Sequence, residues 1–580
     1  MDILNTLSAA RLLYDCVVKG KTEFSKIEYT PSKTALLALD RDPFFKTASP
    51  KRVGVDGERL ALFARTLSRD ARGDAHSVVV LSHGKCVFEA AKAGYDTRCP
   101  QATFSMCKTL TALAIGLLID DGRISLSDTA ISFFPEHRGK WVQSKTKTIT
   151  VRHLLTMSVD IPFNEAGVAV SGDYTKSYFE SAPRSPHGKT FAYNSMNSYL
   201  LAAIVTRVTG KSLSAFLGER LFSPMRITNY FWETTANGTE KGGWGLYLSP
   251  RSMAKIGQLL LQKGNWEGHQ LISEAWISQM VRQHISVSDK IGHYDYGYHV
   301  WNDKESDAFL LNGMLGQNVL VLPSRSLVVA MTAGDHAMFQ TARSLLAAEK
   351  HLTDMRPADS WQAKRERRRL ARHFGEEGSY TPMKKSREGK EAKAMLLSHL
   401  LGKFTPSKNN SGVLPLITRL IQNSPTKGIT AVALSAGKQK NTLYLSITER
   451  DVTYKILLGE HRFLATDLAI RDEKYRVLGA YSFGRDAERS PFFKIELRFP
   501  SLPNSRRLLF RKTGKNLTLT LAEQPGAEFA EEVIRSVPLL GDASPSTKEN
   551  GSPLSWFMKR IKEAFCPTLT LTREDEEETH

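Results

Sequence analysis

Apolar residues recur with two different periods along the chain, and each period predicts a different kind of element. The apolar runs Thr109–Ile119 and Tyr199–Val205 have the composition of buried helices, and Thr209-Gly210 ends the second one. The stretch Ser77–Phe88 alternates around a glycine turn instead, which predicts a β-hairpin. We expect this hairpin and a closing strand near Leu327 to share one antiparallel sheet, with the two helices packed beside it.

A regular alternation of apolar and polar residues returns after residue 396. The runs Thr442–Ile447, Phe492–Phe499 and Leu517–Leu521 alternate in this way and are separated by Gly, Pro and Asp turns. The pattern predicts a small β-rich domain, a sandwich or a barrel, over residues 396–536. Its role stays open between a substrate lid, an interaction module and a scaffold.

At 580 residues the chain is too long for one compact core, and its composition divides it. Residues 356–395 are strongly basic and weakly apolar, which indicates an exposed helix or a linker. We therefore predict an N-terminal extension (1–50), a catalytic part (51–355), this basic linker, the β-rich domain and a mobile tail (537–580). In the tail, Trp556–Phe565 is amphipathic, and packing on its own protein is a commoner outcome for such a stretch than docking on a membrane.

The formal net charge is +19, and the densest basic run is Lys364–Arg372. A basic surface favours anionic partners. No helix-turn-helix, zinc-finger or RNA-binding signature accompanies the run, so nucleic acid is not an expected partner.

The cysteines and the N-terminal residues give an expectation for the cellular compartment of the protein. The five cysteines are scattered without paired spacing, which indicates neither a disulfide framework nor a zinc site. The N-terminal run Leu12–Val18 is short, contains Asp15 and precedes no small-residue cleavage site. No run approaches the roughly twenty apolar residues that span a bilayer. We expect a cytoplasmic protein without a transmembrane segment.

The candidate chemistry lies where a polar loop gives way to the first apolar helix, at Ser105-Met-Cys-Lys108. Residues i and i+3 of a helix share one face, so the Lys108 amine can reach the Ser105 hydroxyl and remove its proton. Free backbone N–H groups and the positive dipole at the first helical turn favour the negative charge that develops there. The pattern indicates covalent serine catalysis.

The same Ser-x-x-Lys spacing occurs at Ser144/Lys147, Ser424/Lys427 and Ser435/Lys438. The first of these leads into an alternating stretch, Thr146–Val151, which predicts a strand, and the other two read as turns. Only Ser105 opens an apolar helix, so we take Ser105 as the candidate nucleophile.

A tyrosine lies before the second apolar helix, in Phe191-Ala-Tyr193-Asn-Ser195. With this order and spacing of motifs, the sequence resembles the serine β-lactamase and penicillin-binding-protein superfamily, especially the class C-like branch with family VIII esterases and 6-aminohexanoate-dimer hydrolases. The segments Leu117–Asp128, Thr150–Met157 and Gly243–Ala254 resemble the same family. The resemblance covers about residues 50 to 350.

The resemblance implies a β-lactamase-like α/β (α+β) fold, in which an antiparallel sheet carries helices on both faces. It implies Ser105 as the nucleophile, Lys108 as its base and Tyr193 as the proton shuttle to the leaving group. In the same pattern Ser195 orients Lys108 or the substrate.

The resemblance also implies an oxyanion hole made by the backbone N–H groups of Ser105 and Gln317, with Gly316 allowing the strand to approach the acyl group closely. Trp244 would line the acyl pocket, although a core position is the commoner one for such an aromatic residue.

Two motifs depart from the penicillin-recognising pattern. The third motif of that pattern supplies a cation that pairs with the carboxylate of a β-lactam or D-peptide, and here the matching position is Met314. The second motif is Tyr193-x-Ser195 where class C β-lactamases have Tyr-x-Asn, which resembles the amide-hydrolase and esterase branch. Both departures favour a substrate other than a β-lactam.

We therefore expect a serine hydrolase that cleaves a small ester or amide through an acyl-enzyme. No two histidines have metal-site spacing and no phosphate-binding glycine loop is present, so we expect neither a metal nor a cofactor. One alternative is a β-lactamase or D-amino-acid peptidase of the penicillin-recognising type. An alternative of another class is a catalytically inactive β-lactamase-fold binding protein.

Overall fold

The structure is a computed structural model of the 580-residue chain. The residues that it describes are 29–70, 73–139, 142–164, 168, 171–288, 294–336, 351–352, 358–375, 381–382, 387–407, 411–422, 424, 426, 428–486, 490–513, 516–529 and 553–574. Most of the predicted N-terminal extension, including Leu12–Val18, and the residues Pro425 and Lys427 lie outside them.

The α-helices of the described residues are, in chain order, α1 (Gly57–Arg69), α2 (Cys107–Asp120), α3 (Ser144–Lys147), α4 (Val151–Leu155), α5 (Tyr174–Glu180), α6 (Ser195–Thr209), α7 (Leu213–Leu217), α8 (Pro250–Leu261), α9 (Glu274–Met280), α10 (Trp361–Arg372), α11 (Arg387–Leu400), α12 (Leu416–Gln422) and α13 (Pro553–Phe565).

The strands are β1 (Ala75–Ser82), β2 (Lys85–Ala91), β3 (Gln101–Ala102), β4 (Phe231–Trp232), β5 (Leu246–Leu248), β6 (Asn265–Trp266), β7 (His269–Gln270), β8 (Ile285–Ser286), β9 (Tyr294–Tyr296), β10 (Trp301–Asp303), β11 (Phe309–Gly313), β12 (Gln317–Leu322), β13 (Leu327–Ala333), β14 (Thr381–Pro382), β15 (Gly402–Pro406), β16 (Ile429–Ala436), β17 (Thr442–Glu449), β18 (Val452–Glu460), β19 (Leu464–Ile470), β20 (Glu473–Arg485), β21 (Pro491–Arg498), β22 (Ser505–Thr513), β23 (Asn516–Gln524) and β24 (Thr568–Arg573).

The first sheet of the described chain has eight strands in the order β2-β1-β13-β12-β11-β10-β9-β8. All neighbours in it are antiparallel, and β1 pairs with both β2 and β13. The predicted hairpin and its closing strand near Leu327 are therefore confirmed.

Helices cover both faces of this sheet. Successive residues of a strand point to opposite faces, and apolar residues of β1 on each face pack against helices. Val79 and Leu81 join the apolar cluster that contains α2, α6 and α8. Val78 and Val80 join a second cluster with residues of α1 and α10. This arrangement confirms the predicted fold class for the first part of the chain.

The two predicted apolar helices are α2 and α6, and they pack against each other. Every residue of α2 from Cys107 to Leu118 is buried, as its composition requires. Asn194 caps α6, since its side chain accepts from the backbone N–H of Met196, and Gly210 ends the helix with φ 72°.

The second sheet closes on itself, so the β-rich domain is a barrel. Nine of its strands form a ring in the order β20-β18-β17-β16-β15-β24-β23-β22-β21, and β21 pairs again with β20. Strand β24 (Thr568–Arg573) fills the gap between β15 and β23. It lies in the stretch that the sequence assigned to a mobile tail, so the pairing extends beyond the predicted limit at residue 536.

The basic stretch is partly a docked helix. Helix α10 packs against α1. The side chain of Arg367 is buried there, where it donates to Asp359 at 2.6 Å and to the backbone oxygen of Gly57 at 2.7 Å. The opposite side of α10 is exposed, and 68% of the Trp361 surface is accessible.

The strand predicted over Thr146–Val151 is wrong, because this stretch holds α3 and the start of α4. Thr150 lies at the N-cap of α4, where its side chain accepts from the backbone N–H of His153 and the His153 ring accepts in return from the backbone N–H of Thr150. A threonine oxygen that satisfies a helix terminus competes with the strand that the alternation suggests.

The barrel and the first part of the chain share apolar surface. Ala102, Phe104, Tyr247 and Leu315 belong to the same apolar cluster as the barrel interior. The backbone N–H of Ala102 also donates to the backbone oxygen of Ser501, at 3.0 Å. The segment that precedes Ser105 is therefore packed directly against the barrel.

Within the described ranges no single helix has the length and apolar composition to cross a membrane, while Ser195–Thr209 with Leu213–Phe222, bent by 71°, meets both criteria as a pair.

Gly116 of α2 leaves room for the indole of Trp276 in α9. A Cβ atom at position 116 would overlap that indole ring. We expect Gly116→Ala to lower the free energy of unfolding by about 1–3 kcal/mol through overpacking, as measured by urea denaturation. Gly172→Ala is the matched control, because no atom lies within 4 Å of its added Cβ. Equal stability of the two variants would contradict the predicted overlap.

Candidate active site

Ser105 and Lys108 lie in direct contact. The Lys108 Nζ atom is 2.8 Å from Ser105 Oγ, which is hydrogen-bond distance. Ser105 is half-buried in a 3₁₀ turn, Phe104–Met106, that leads into α2. The predicted contact of residues i and i+3 is thus present at the entrance of the apolar helix.

The two residues before Ser105 hold the serine turn. Thr103 donates to the backbone oxygen of Leu246 through both its backbone N–H and its hydroxyl, each at 2.8 Å. Phe104, the residue before the serine, has φ 47°, a conformation that is strained for a residue with a side chain. Its ring is buried in the apolar cluster of the barrel. Packing of Phe104 against the barrel therefore supports the turn that presents Ser105.

Lys108 is buried, with 1% of its surface exposed. Its Nζ atom also donates to the backbone oxygen of Gly243 at 2.6 Å. The carbonyl of the preceding residue, Gly242, accepts from the Thr111 hydroxyl at 2.7 Å. Two side chains of α2 thus fix the Gly242-Gly243 segment, and one of them is the candidate base.

Cys107 lies between the two candidate catalytic residues but is poorly suited to attack a substrate. Its Sγ atom lies 3.5 Å from the Gly242 oxygen, and burial raises the pKa of this thiol to about 12. A thiol that stays protonated is a weak nucleophile. Ser105, which is half-buried, is the more accessible of the two side chains.

Tyr193 lies beside the pair. Lys108 Nζ is 4.9 Å from the centroid of the Tyr193 ring. The ring stacks on Trp301 at 5.8 Å between centroids, and Phe191 packs against both rings. The three predicted catalytic residues are therefore brought together, with aromatic rings on the Tyr193 side.

Ser195 and Trp244 flank the segment that binds Lys108. Ser195 is buried at the first position of α6, and a Cβ atom on Gly243 would meet its backbone oxygen at 2.8 Å. Trp244 follows directly and packs, half-buried, against the cluster around α2. Both residues lie next to Gly243, whose carbonyl accepts from Lys108.

Gly316 ends the turn before β12, and Gln317 is the first residue of that strand. Gly316 has φ 92° and Leu315 before it has φ 61°, so the chain turns sharply between β11 and β12. The Gln317 side chain donates to the backbone oxygens of Leu315 at 2.9 Å and Ala333 at 2.7 Å. This turn packs against the 3₁₀ turn that carries Ser105. Met314 at its start is half-buried against the barrel cluster.

No role was predicted from the sequence for the Gly243 carbonyl or for the Gln317 side chain. The glycines of Gly242-Gly243-Trp244-Gly245 could have indicated that the backbone of this segment approaches another element closely. A Cβ atom on Gly243 would overlap the start of α6. The Gln317 amide gives no such signal, because nothing in the sequence places the Leu315 and Ala333 carbonyls near it.

A buried polar network behind the Lys108 acceptor was also missed. Glu233 accepts from Tyr247 at 2.9 Å and forms an ion pair with Lys241 at 3.1 Å. Gln422 of α12 donates to the Tyr247 oxygen at 3.2 Å and accepts from Tyr475 of the barrel at 2.8 Å. The loop that holds Gly243 is thus connected to the barrel by hydrogen bonds between side chains.

His299 lies behind the site. Its Nε2 atom is 3.0 Å from Ser198 Oγ, and its backbone oxygen accepts from Thr109 at 2.8 Å. Burial and the nearby charge of Lys108 lower the pKa of His299 to about 3. The ring is therefore neutral at physiological pH and adds no positive charge near Lys108.

This arrangement supplies the groups that covalent catalysis requires. A hydroxyl contacts an amine, the amine has a second fixed acceptor, and a tyrosine ring lies next to it. These groups stand at the start of a buried helix, whose N-terminal dipole favours developing negative charge.

A comparison with protein families matches the chain to the family described as Beta-lactamase, over residues 62–351. The matched segment contains Ser105, Lys108, Tyr193 and Gln317. It does not include the barrel.

Curated relatives match shorter segments. The 6-aminohexanoate-dimer hydrolase of Paenarthrobacter ureafaciens is 26% identical over 226 residues, which cover 35% of this chain and 56% of that protein. Protein flp of Staphylococcus aureus (strain N315) is 26% identical over 151 residues, which cover 25% of this chain and 30% of that protein. The chain thus spans about half of the first relative and about a third of the second.

Among solved structures, a family VIII carboxylesterase is similar to this chain with a TM-score of 0.41 at 18% identity. The similarity covers 53% of this chain and 100% of the esterase.

The low pKa of His299 makes the stability of the protein dependent on pH. The unfolded chain protonates this histidine near its ordinary value of 6.5, whereas the folded protein does so near 3. Between these values the unfolded state binds more protons, so the free energy of unfolding falls as pH falls, by up to about 1.4 kcal/mol per pH unit. Loss of this one titrating group in His299→Gln should lower the slope of the unfolding free energy against pH by up to about 1.4 kcal/mol per pH unit. Urea denaturation at a series of pH values measures it. The control is His269→Gln at an exposed position. Identical slopes for wild type and His299→Gln would refute the assignment.

Proposed function

The chain belongs to the beta-lactamase family, and from that premise we propose that it is a serine hydrolase that cleaves a small ester or amide through an acyl-enzyme on Ser105. The observation that carries this proposal is the 2.8 Å contact between Lys108 Nζ and Ser105 Oγ. A nucleophile within hydrogen-bond distance of its base is the signature of an activated hydroxyl. In the proposed reaction, the Ser105 oxygen bonds to the substrate carbonyl carbon while its proton passes to Lys108.

The Gly243 carbonyl supports Lys108 as the base. A neutral amine has two N–H groups and one lone pair. With one N–H donated to the Gly243 oxygen at 2.6 Å, the lone pair can turn to the Ser105 hydroxyl. Gly243 thereby orients the amine for proton abstraction, and it accepts again from the ammonium that forms.

The oxyanion hole of this proposal consists of the backbone N–H groups of Ser105 and Gln317. The positive φ angles of Phe104, Leu315 and Gly316 lie in the two turns that carry these donors, and the turns pack against each other. Backbone donors held by packing are already oriented when charge develops on the carbonyl oxygen. Each such donor typically contributes about 10²–10³ in rate.

Tyr193 is proposed to carry the proton from Lys108 to the leaving group. Its ring lies 4.9 Å from the amine, and its stack on Trp301 fixes the orientation of the ring. When the bond to the leaving group breaks, the alcohol or amine departs with this proton and leaves an ester on Ser105. Water then attacks the ester, with the same groups moving protons in the opposite direction.

The walls of the site support a substrate without a carboxylate anchor. Met314 stands at the position of the cation that binds β-lactams and D-peptides, and it packs half-buried in an apolar cluster. Near Lys108, the Tyr193 ring contacts the rings of Phe191 and Trp301. An uncharged acyl group fits these surroundings better than an anionic one.

The proposal predicts covalent labelling of Ser105 by a fluorophosphonate probe. The adduct should be found on the peptide that contains Ser105, by mass spectrometry of the digested protein, and should be absent from Ser105→Ala. Lys108→Met keeps the bulk of the side chain and should slow labelling by about 10²–10⁴.

Ser144→Ala is the matched control, because Ser144 has a lysine at the same spacing but is exposed on a short helix. It should be labelled as the wild type is. A folded wild-type protein that forms no adduct would refute the hydrolase proposal and favour a binding protein with this fold. Turnover of a β-lactam would favour the penicillin-recognising alternative over the esterase or amidase.

The role of Tyr193 predicts a dependence on the leaving group. Tyr193→Phe keeps the ring stack but removes the proton donor. We expect kcat for an alkyl ester or an amide to fall by about 10²–10⁴, because these leaving groups depart only when protonated. The loss should be much smaller for a p-nitrophenyl ester, which leaves as an anion.

Tyr444→Phe, a half-exposed position in the barrel, controls for loss of a tyrosine hydroxyl. Equal losses for the two kinds of ester in Tyr193→Phe would show that Tyr193 acts through packing alone.

A further inference from the structure

A cavity of about 60 Å³ lies between the first sheet and the barrel. One wall carries Asp74, Lys92 and Tyr95, which precede β1 or follow β2, and the other carries residues of β21, β22 and β23, among them Arg498 and Arg507. Since one water needs roughly 10–15 Å³ of such space, the cavity has room for a group of several heavy atoms. It lies outside the site around Ser105, and the proposed hydrolysis assigns it no role.

The lining of this cavity has more cations than carboxylates. Four cations and three carboxylates line it: Lys92, Arg498, Arg506, Arg507, Asp74, Glu496 and Glu523. Asp74 pairs with Lys92, and Glu523 pairs with Arg506 at 3.2 Å.

The third carboxylate, Glu496, pairs with Lys494 at 3.3 Å. In the described part of the chain, Arg498 and Arg507 have no carboxylate partner within 4.0 Å. The cavity therefore has positive charge that its own residues do not neutralise.

Two donors of the lining have no acceptor among the described residues. They are the Tyr95 hydroxyl and the Nε–H group of Arg507, and both atoms are buried. Tyr95 is 8% exposed. The side chain of Arg506 points to the opposite face of β22, where it pairs with Glu523 and donates to the backbone oxygen of Gly412. Two buried donors without an acceptor at one positively charged cavity point to an acceptor with negative charge.

We propose that this cavity binds a small tetrahedral oxyanion, of which inorganic phosphate is the simplest example. A phosphate group has acceptor oxygens on all sides and negative charge, and so satisfies donors that reach it from several side chains. Guanidinium groups are the protein's usual partners for it. Water satisfies the donors less completely, because its own two hydrogens need acceptors in the same cavity.

The position of the site gives the oxyanion a structural consequence. Tyr95 belongs to the first part of the chain, whereas Arg507 belongs to the barrel, so the bound oxyanion contacts both parts. Tyr95 also stacks on His76 of β1, with 3.8 Å between ring centroids. Binding holds the barrel against the sheet, and the free energy of unfolding rises with the logarithm of the phosphate concentration above Kd.

The test is equilibrium dialysis of the full-length protein with radiolabelled inorganic phosphate. We expect saturation at one phosphate per chain. Tyr95→Phe and Arg507→Gln should each weaken binding by about tenfold or more, the usual effect of losing a hydrogen bond to a charged group. Tyr95→Phe should not destabilise the protein without phosphate, since the hydroxyl that it removes has no partner among the described residues.

Tyr199→Phe is the matched control, because it removes another buried hydroxyl without a partner in the described structure, in α6 and away from the cavity. Its phosphate affinity should equal that of the wild type. Competition by phenyl phosphate would support the site and identify a phosphate ester as the source of the oxyanion.

Three results would overturn the proposal. One is no phosphate bound at about 10 mM. Another is phosphate bound equally well by the wild type, Tyr95→Phe and Arg507→Gln. The third is acetate bound more tightly than phosphate, which would assign the cavity to a carboxylate.

Discussion

The site is organised around the hydrogen bonds of the buried Lys108 amine. A lysine that is 1% exposed needs polar partners, and here they are the Ser105 hydroxyl and the Gly243 carbonyl. Meeting this need brings the start of α2, the Gly243 loop and, through the close contact of Gly243 with Ser195, the start of α6 together at one point. The hydrogen bonds that allow the Lys108 amine to be buried also hold it against the Ser105 hydroxyl.

The barrel is part of the support for this arrangement. Phe104 and Leu315, each beside a proposed oxyanion donor, are packed in the barrel's apolar cluster. The loop behind Gly243 reaches the barrel through Tyr247 and Gln422. Of the three roles that the sequence left open for the β-rich domain, these contacts favour a scaffold for the site.

Much of the fold followed from local pattern, because α2, α6 and the hairpin of β1 and β2 are specified by residues close in sequence. The order of the Ser105, Lys108 and Tyr193 motifs likewise singled out three residues that the structure brings close together. Contacts between distant residues could not be predicted in this way. The Gln317 amide depends on how β12 and β13 are paired, whereas the Glu233 network and the cavity beside Tyr95 depend on how the barrel meets the first part of the chain. Thr150 shows a different limit, since a threonine in an alternating stretch served as a helix cap.

Because β24 closes the barrel, the barrel cannot be completed until this strand has been synthesised. The ring joins β15 near residue 404 to a strand near residue 571, so both β15 and β23 keep an open edge until that last strand has emerged from the ribosome. Open strand edges invite pairing with other chains. The nascent protein therefore passes through a stage at which Ser105 has been made, while the barrel behind Phe104 is still open and prone to association.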